Sequence, residues 1–226
     1  GIDTYFLAHK FEHVIYVEQN KNLCQIVAHN FKTLGIDHVT IANTTGEEFI
    51  QSFKGKVDLI FIDPARRDVQ QQRIFQFEDC SPNILEMEEF LQQKGENLLI
   101  KASPLIDIRS AYEQFVSFRN CQVIGINNEC KEVMFSNIET LPYLTCSNFT
   151  KGILEEYKFE ESKQEFNGFA RPELGGYIYE PNVTIRKAQK QDEIGIQFEL
   201  GKIFRNGSLY FSTKLEINFP GRIFKI

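Results

Sequence analysis

One segment of the sequence ends an apolar strand with a group of charged side chains. Residues 59–62 are apolar at every position, which is typical of a strand buried on both faces in a parallel sheet. Pro64 ends this strand, because it has no N–H to donate and its φ is fixed. The Asp63 carboxylate can orient an acceptor or take a proton, and the guanidinium groups of Arg66 and Arg67 can bind phosphate or carboxylate bidentately. The alternative is a simple turn at Asp63 followed by a solvated arginine pair.

Polar residues also follow three other predicted strands. Glu18 has the chemistry to accept hydrogen bonds from vicinal ribose hydroxyls, although it could equally be a solvated strand-end acid. Asn43 and Thr44 could contact an adenine, although asparagine is also a common turn former. Lys101 and Ser103 end the next strand along the chain. Because the carboxyl ends of parallel strands meet at one edge of a sheet, we expect these groups to lie around one crevice.

Strands and helices alternate in the sequence up to about residue 137. Strands are predicted at residues 13–18, 39–42, 57–62, 97–104, 121–126 and 132–136, and helices at residues 1–8, 21–34, 47–53, 82–92 and 108–118. Ser81 is the predicted N-cap of the fourth helix, and Gly35 the predicted end of the second. Asn127 and Asn128 form the short turn of an antiparallel hairpin between the last two strands. The predicted fold class is therefore α/β, with a Rossmann-like sheet that is parallel except for an antiparallel last strand.

The sequence also predicts a domain organisation. Residues 1–147 form the α/β domain, residues 148–176 a charged linker, and residues 177–226 a small α+β module truncated on its C-terminal side. Because the chain opens inside a helix with no preceding strand, we expect the first strand and its Gly-rich loop to be absent.

Composition excludes several function classes. The net charge of −6 and pI of about 5.4 provide no global basic field, so a nucleic acid would need a local patch. Five cysteines without a C-x-x-C pair fit reduced thiols in the cytoplasm, and the four histidines lack metal-ligand spacing. No apolar run is long enough to span a membrane. We therefore predict a cytoplasmic protein with no metal and no membrane association, of unknown oligomeric state.

The combination of motifs resembles a known family. The order Glu18, Asn43, Asp63-Pro64-Ala65-Arg66 is similar to that of class I S-adenosylmethionine-dependent methyltransferases, which also end on a reversed last strand. The segments 62–67, 177–182, 185–188 and 219–222 more narrowly resemble Bacteroidetes-type methyltransferases with a ferredoxin-like segment and a THUMP-like C-terminal domain. The resemblance spans nearly the whole chain.

This resemblance implies roles for individual residues. Gly1 would be the last glycine of the cofactor loop. The residues implied to contact S-adenosylmethionine are Gly1, Asp3, Glu18, Gln19, Asn43, Thr44 and Asp63. The implied catalytic residues are Asp63, Pro64 and Arg66, and the implied substrate-binding residues are Arg66, Arg67, Lys101 and Ser103.

The sequence departs from the family pattern at two places. Arg66 replaces the aromatic residue that stacks on a flipped base in the amino-methyltransferases, so stacking by this residue is lost. The loop at residues 43–45 lacks the usual aspartate, which leaves the adenine contact open.

Two functions from different classes follow. The first is an S-adenosylmethionine-dependent methyltransferase acting on RNA or a nucleotide-containing substrate, where RNA rests on analogy with THUMP-bearing enzymes. The second is a catalytically degenerate module of the same fold that binds RNA or a protein partner. A dinucleotide oxidoreductase is disfavoured, because the classic dinucleotide fold ends on parallel strands.

Overall fold

The computed structural model describes residues 1–66, 77, 80–161, 166 and 168–226, with the backbone alone at residues 65 and 66. The helices are α1 (Ile2–Ala8), α2 (Lys21–Thr33), α3 (Gly46–Ser52), α4 (Ile84–Lys94), α5 (Ile108–Gln114), α6 (Val183–Lys187) and α7 (Gln191–Gln197). The strands are β1 (Val14–Val17), β2 (Val39–Ala42), β3 (Val57–Ile62), β4 (Ala65–Arg66), β5 (Cys80–Ser81), β6 (Gly95–Ala102), β7 (Asn120–Ile126), β8 (Glu129–Ser136), β9 (Leu144–Thr150), β10 (Ile153–Phe159), β11 (Tyr177–Pro181), β12 (Gly201–Lys202), β13 (Tyr210–Ser212) and β14 (Gly221–Lys225).

The largest sheet has six strands in the order β10-β9-β7-β8-β6-β3. Strands β3 and β6 are parallel, β8 is antiparallel to both β6 and β7, and β9 is parallel to β7. Four strands therefore run in one direction, whereas β8, between β6 and β7, and the edge strand β10 run in the opposite direction. The predicted fold class, a Rossmann-like sheet with an antiparallel last strand, is confirmed.

The reversed strand β8 follows a tight hairpin. Asn127 and Asn128 both have positive φ, 50° and 60°, which matches the right-handed strand twist in a two-residue turn. Asparagine tolerates this conformation because its short polar side chain bonds locally. The hairpin predicted around these two residues is confirmed.

Strands β1 and β2 form a separate parallel pair within the described part of the chain. Helix α2 begins at its N-cap Asn20, whose Oδ1 accepts the N–H groups of Asn22 and Leu23. Its buried Val27 and Phe31 are four residues apart and pack on the strand pair. The helix ends before Gly35, whose φ of 73° suits a residue without a Cβ.

Two helix boundaries differ from the sequence prediction. Helix α4 is capped by Asn83, whose Oδ1 accepts the Leu85 N–H, and not by Ser81, which lies in β5. Helix α5 ends at Gln114 because Phe115 turns to extended backbone and buries its ring against the sheet. The prediction that α5 continues to Phe118 is wrong. The spacing of apolar residues suggested a longer helix, but burial of the Phe115 ring requires extended backbone at that residue.

The segment interpreted as a linker contains regular structure. Residues 148–150 belong to β9 and residues 153–159 form β10, which extends the large sheet at its edge. The turn between them has φ of 51° at Lys151 and 79° at Gly152. Most side chains of β10 are exposed to solvent, so its composition is as highly charged as that of a linker. The linker interpretation is therefore corrected for residues 148–159.

The C-terminal part forms a second sheet with the order β12-β13-β11-β14. Tyr179, Tyr210, Ile185 and Ile194 are fully buried and belong to the same apolar cluster as the core of the large sheet. Helix α6 packs on β7, β8 and β9, so the two sheets share one core. In the part of the chain that the structure describes, no helix combines the length and apolarity needed to cross a membrane.

Candidate active site

The candidate site lies at the carboxyl ends of β3 and β6. Ile62 of β3 is paired with Ile100 of β6, so Asp63 and Lys101 follow side by side at the same edge of the sheet. Strand β8 starts at this edge, because its direction is reversed and its residue Val133 pairs with Ala102. The sheet topology therefore brings residues from three strands together, as predicted for Asp63 and Lys101.

Lys101 holds two carboxylates at this edge. Its Nζ lies 2.8 Å from Asp3 Oδ2 and 2.7 Å from Asp63 Oδ2. Burial alone lowers the pKa of Lys101, but the hydrogen bonds and charges of the two carboxylates outweigh it and raise this pKa above the ordinary lysine value. Lys101 therefore stays charged at every physiological pH and joins the start of α1 to the end of β3.

A cleft of about 200 Å³ opens beside this triad. Its polar lining comes from Asp63, Lys101, Ser103, Lys131 and Glu132, and its apolar lining includes Pro64, Phe77, Pro104 and Ile106. The cleft thus combines two carboxylates, two ammonium groups and an apolar floor, which is the composition expected for a small-ligand site.

Sequence reasoning missed several lining residues. Lys131 and Glu132 reach the cleft because β8 begins at Glu129, three residues earlier than predicted, and Lys131 Nζ pairs with Glu129 Oε2 at 2.7 Å. The predicted hairpin was the available signal, since it places the start of β8 beside the end of β6. Phe77 and Ile106 carry no such local signal, because only long-range packing brings them to the cleft.

The ends of β1 and β2 are joined by Asn43. Its Nδ2 donates to the carbonyl oxygens of Glu18 at 2.9 Å and Gln19 at 3.0 Å. The Glu18 carboxylate accepts the Asn20 N–H at 2.7 Å and the Tyr16 hydroxyl at 3.4 Å. Burial, together with the adjacent Glu18 carboxylate, raises the pKa of Tyr16. The structure therefore brings Glu18, Gln19 and Asn43 together at one loop pair.

The next loop is organised by the start of α3. Thr44 donates its hydroxyl to Glu48 Oε2 at 2.7 Å, and Thr45 Oγ1 accepts the Glu48 N–H at 3.2 Å as the N-cap. The Thr44 hydrogen bond is the main cause of the lowered pKa of Glu48. The Thr44 hydroxyl is thus oriented by the helix cap.

The remaining predicted site residues are placed as follows. Gly1 immediately precedes α1, and a Cβ there would lie 3.0 Å from Val27 Cγ2. Ser103 Oγ accepts the Leu105 N–H at 3.2 Å. The backbone of Arg66 pairs with Cys80, whereas the Arg66 side chain and all of Arg67 lie outside the described residues.

No group of three histidine, cysteine or acidic side chains that could hold a metal ion occurs among the residues whose placement the structure describes. The roles of the individual site residues toward a cofactor or substrate stay predictions.

Comparison with known proteins supports the fold. Residues 7–95 match the family model described as "Conserved hypothetical protein 95", and residues 177–220 match a ferredoxin-like domain family. No curated protein matches the chain. The ferredoxin-like match lies where the resemblance predicted such a segment, and the methyltransferase-like fold is supported by the first solved structure below.

Two solved structures are similar to the chain. One is described as a "putative methyltransferase from Porphyromonas gingivalis W83", with 25% identity and a TM-score of 0.78 over 99% of this chain. The chain spans 57% of that protein's length. The other is a conserved hypothetical protein of Streptococcus pyogenes, with 15% identity and a TM-score of 0.41, covering 57% of this chain and 74% of its own.

Proposed function

We propose that this protein is an S-adenosylmethionine-dependent methyltransferase that acts in the cytoplasm on RNA or a nucleotide-containing substrate. The observation that carries the proposal is the reversed strand β8, which lies between β6 and β7 and, together with Asp63 at the end of β3, lines a cleft at the carboxyl edge of the sheet. The similarity to the methyltransferase-like fold supports the same class of reaction.

The cofactor would be held by the loops after β1 and β2. The Glu18 carboxylate has lone pairs beyond those used by Asn20 and Tyr16, so it can accept hydrogen bonds from ribose hydroxyls. Both Nδ2 hydrogens of Asn43 are used by backbone carbonyls, which leaves its Oδ1 as an acceptor. The Thr44 hydroxyl donates its hydrogen bond to Glu48, so toward a ligand it too can act only as a hydrogen-bond acceptor.

Two acceptors at this loop suit the exocyclic amine of adenine, which is a donor, better than its ring nitrogens. The residues present therefore fit an adenosyl group. When bound, S-adenosylmethionine supplies an electrophilic methyl group, and the protein's own task is to position an acceptor and exclude water.

Asp63 is the group we propose to orient or deprotonate the acceptor. Its Oδ2 is held by Lys101, and its side chain is half exposed toward the cleft. The cleft volume of about 200 Å³ lies below the range of roughly 300–1,000 Å³ of sites for drug-sized ligands. The cleft therefore fits one ring-sized group, and we propose that Arg66 and Arg67 hold the phosphate of a larger substrate outside it.

Cofactor binding is the first test. Calorimetric titration of the full-length protein with S-adenosylmethionine and with its demethylated product should give saturable heat, whereas NADH, the control for an oxidoreductase, should give none. Absence of heat with both sulfur compounds would refute the enzyme proposal and favour a module that only binds RNA or a protein partner.

Methyl transfer is the second test. Radiolabelled S-adenosylmethionine and total RNA from a strain lacking the protein should yield labelled RNA only when the protein is added. If label enters small nucleotides or protein instead, the RNA part of the proposal is wrong while the methyltransferase part stands.

A further inference from the structure

Helix α6 of the ferredoxin-like domain contacts the surroundings of the cleft at both of its ends. At its start, the Val183 N–H donates to Asn128 Oδ1 at 2.7 Å, and Asn128 forms the turn before β8. At its end, the Lys187 ammonium donates to the carbonyl oxygen of Ile106, which lines the cleft. The helix therefore spans from the hairpin turn to the rear of the cleft.

The Ile106 carbonyl belongs to a short, well-connected segment after β6. The Ile106 N–H donates to the Ser103 carbonyl at 3.1 Å, and the Leu105 N–H donates to Ser103 Oγ at 3.2 Å. Asp107 caps α5 by accepting the Ser110 N–H at 2.8 Å. Ile106 itself is 4% exposed. We call residues 103–107 the acceptor loop.

Lys187 is the side chain of α6 that reaches this loop. A lysine on a short helix ordinarily extends its ammonium into water, but Lys187 is half-buried and directed to a backbone carbonyl. Burial is the main cause of the lowered pKa of Lys187, with Cys130, Asp107 and Cys121 acting in the opposite direction. A half-buried ammonium without a hydrogen-bond acceptor would lower the stability of the fold. The packing of α6 therefore requires an acceptor at this position, which the Ile106 carbonyl oxygen provides.

The close approach of α6 to the large sheet depends on a small residue. A Cβ at Gly125 of β7 would lie 2.8 Å from Thr184 Cγ2 and 3.0 Å from Asn148 Oδ1. Thr184 is completely buried. The helix thus lies directly on the sheet, which keeps Lys187 at a defined distance from the acceptor loop.

We propose that Lys187 is a positioning residue, through which the ferredoxin-like domain forms the rear support of the acceptor loop. This inference rests on the proposed methyltransferase function for its catalytic consequence, although the support itself does not require it. The domain is then part of the site's framework and not only an attached substrate-binding module. Because a displacement of about 1 Å can cost roughly 10²-fold in rate, loss of this support should reduce turnover.

Lys187→Met is the main test, because it keeps the apolar stem and removes the donor. Hydrogen exchange by mass spectrometry should show the amides of residues 103 and 105–107 exchanging at least about tenfold faster in this variant, with unchanged exchange in β1 and β2. Turnover should fall by about ten- to a hundredfold with unchanged S-adenosylmethionine affinity. Lys187→Arg retains a donor and should restore most of both signals.

Controls separate this inference from the proposed function. Lys225→Met removes an exposed lysine of β14, in the same second sheet, and should change neither signal. If Lys187→Met does not fold, Lys187→Leu, which likewise has no donor, takes its place. Unchanged exchange at residues 103–107 would overturn the proposal. If exchange is faster in Lys187→Met but the wild-type protein transfers no methyl group, the proposed support by Lys187 stands and the proposed methyltransferase function is refuted.

Discussion

Replacing Lys101 by methionine tests whether the bridged carboxylates depend on this ammonium. Asp3 Oδ2 and Asp63 Oδ2 both lie within 2.8 Å of Lys101 Nζ, so they are at most about 5.5 Å apart. Two negative charges at that separation repel by roughly 1 kcal/mol in water and roughly 3 kcal/mol at an effective dielectric constant of about 20. Methionine retains the apolar stem, so the variant isolates the charge.

The expected loss of stability follows from these values. The two aspartate side chains are 43% and 51% exposed, which places the repulsion in the lower part of the range, at about 1–2 kcal/mol. This repulsion is present in both proteins, so the variant loses only the two ion pairs that offset it, each of which contributes at most about 1 kcal/mol at this exposure. The free energy of unfolding at pH 7 should therefore fall by about 1–2 kcal/mol, as measured by urea denaturation.

The pH dependence provides a sharper readout. Because the pKa of Lys101 is raised, its contribution is fully present below the ordinary lysine pKa and is lost only in strongly alkaline solution. The difference between wild type and variant should thus be constant from about pH 6 to pH 9.

Lys131→Met is the matched control for this experiment. Lys131 also lines the cleft, but its ion pair among the described residues is with Glu129, and the two side chains are 42% and 72% exposed. Its replacement should cost no more than about 0.5–1 kcal/mol. If Lys101→Met costs no more than the control at pH 7, the reasoning from the bridged carboxylates is refuted.

Three further substitutions test the proposed site. Asp63→Ala should lower turnover by about two to four orders of magnitude with little effect on cofactor affinity, and a thermally shifted but fully active variant would end its catalytic assignment. Arg66→Ala should raise the substrate Michaelis constant and flatten the salt dependence of binding, whereas a change below about 0.5 kcal/mol in stability with unchanged kinetics would indicate a solvated side chain. Glu18→Ala should weaken calorimetric S-adenosylmethionine binding by roughly tenfold or more, and unchanged affinity would remove it from the cofactor site.

The local features of the fold were predictable from the sequence. The apolar run before Asp63 and the paired asparagines at 127 and 128 each specify their conformation with neighbouring residues alone. The same holds for the end of α2 at Gly35, where positive φ favours glycine. Such signals depend on backbone geometry over a few residues, so one sequence is enough to read them.

Boundaries that depend on packing were less accessible. Strand β10 lies exposed at the edge of the sheet, so charged residues obscure the alternation of polar and apolar side chains that is typical of a strand. The turn at Lys151 and Gly152 was the only local signal of the hairpin that contains it. The helix α5 ended early because Phe115 is buried in a core that the sequence does not display.

The sequence alone determined which chemical groups stand at the strand ends, because strand termination by proline and turn residues is a local property. Only the tertiary structure decided what those groups contact. The Asn43 amide donates hydrogen bonds to two backbone carbonyl oxygens. Lys101 pairs with Asp63 and also with Asp3, which lies nearly a hundred residues before it in the chain. Lys187, which lies in the ferredoxin-like domain, donates a hydrogen bond to the carbonyl oxygen of Ile106 in the large α/β part. Side chains so distant in the chain meet only through the packing of sheets and helices, which no spacing in the sequence encodes.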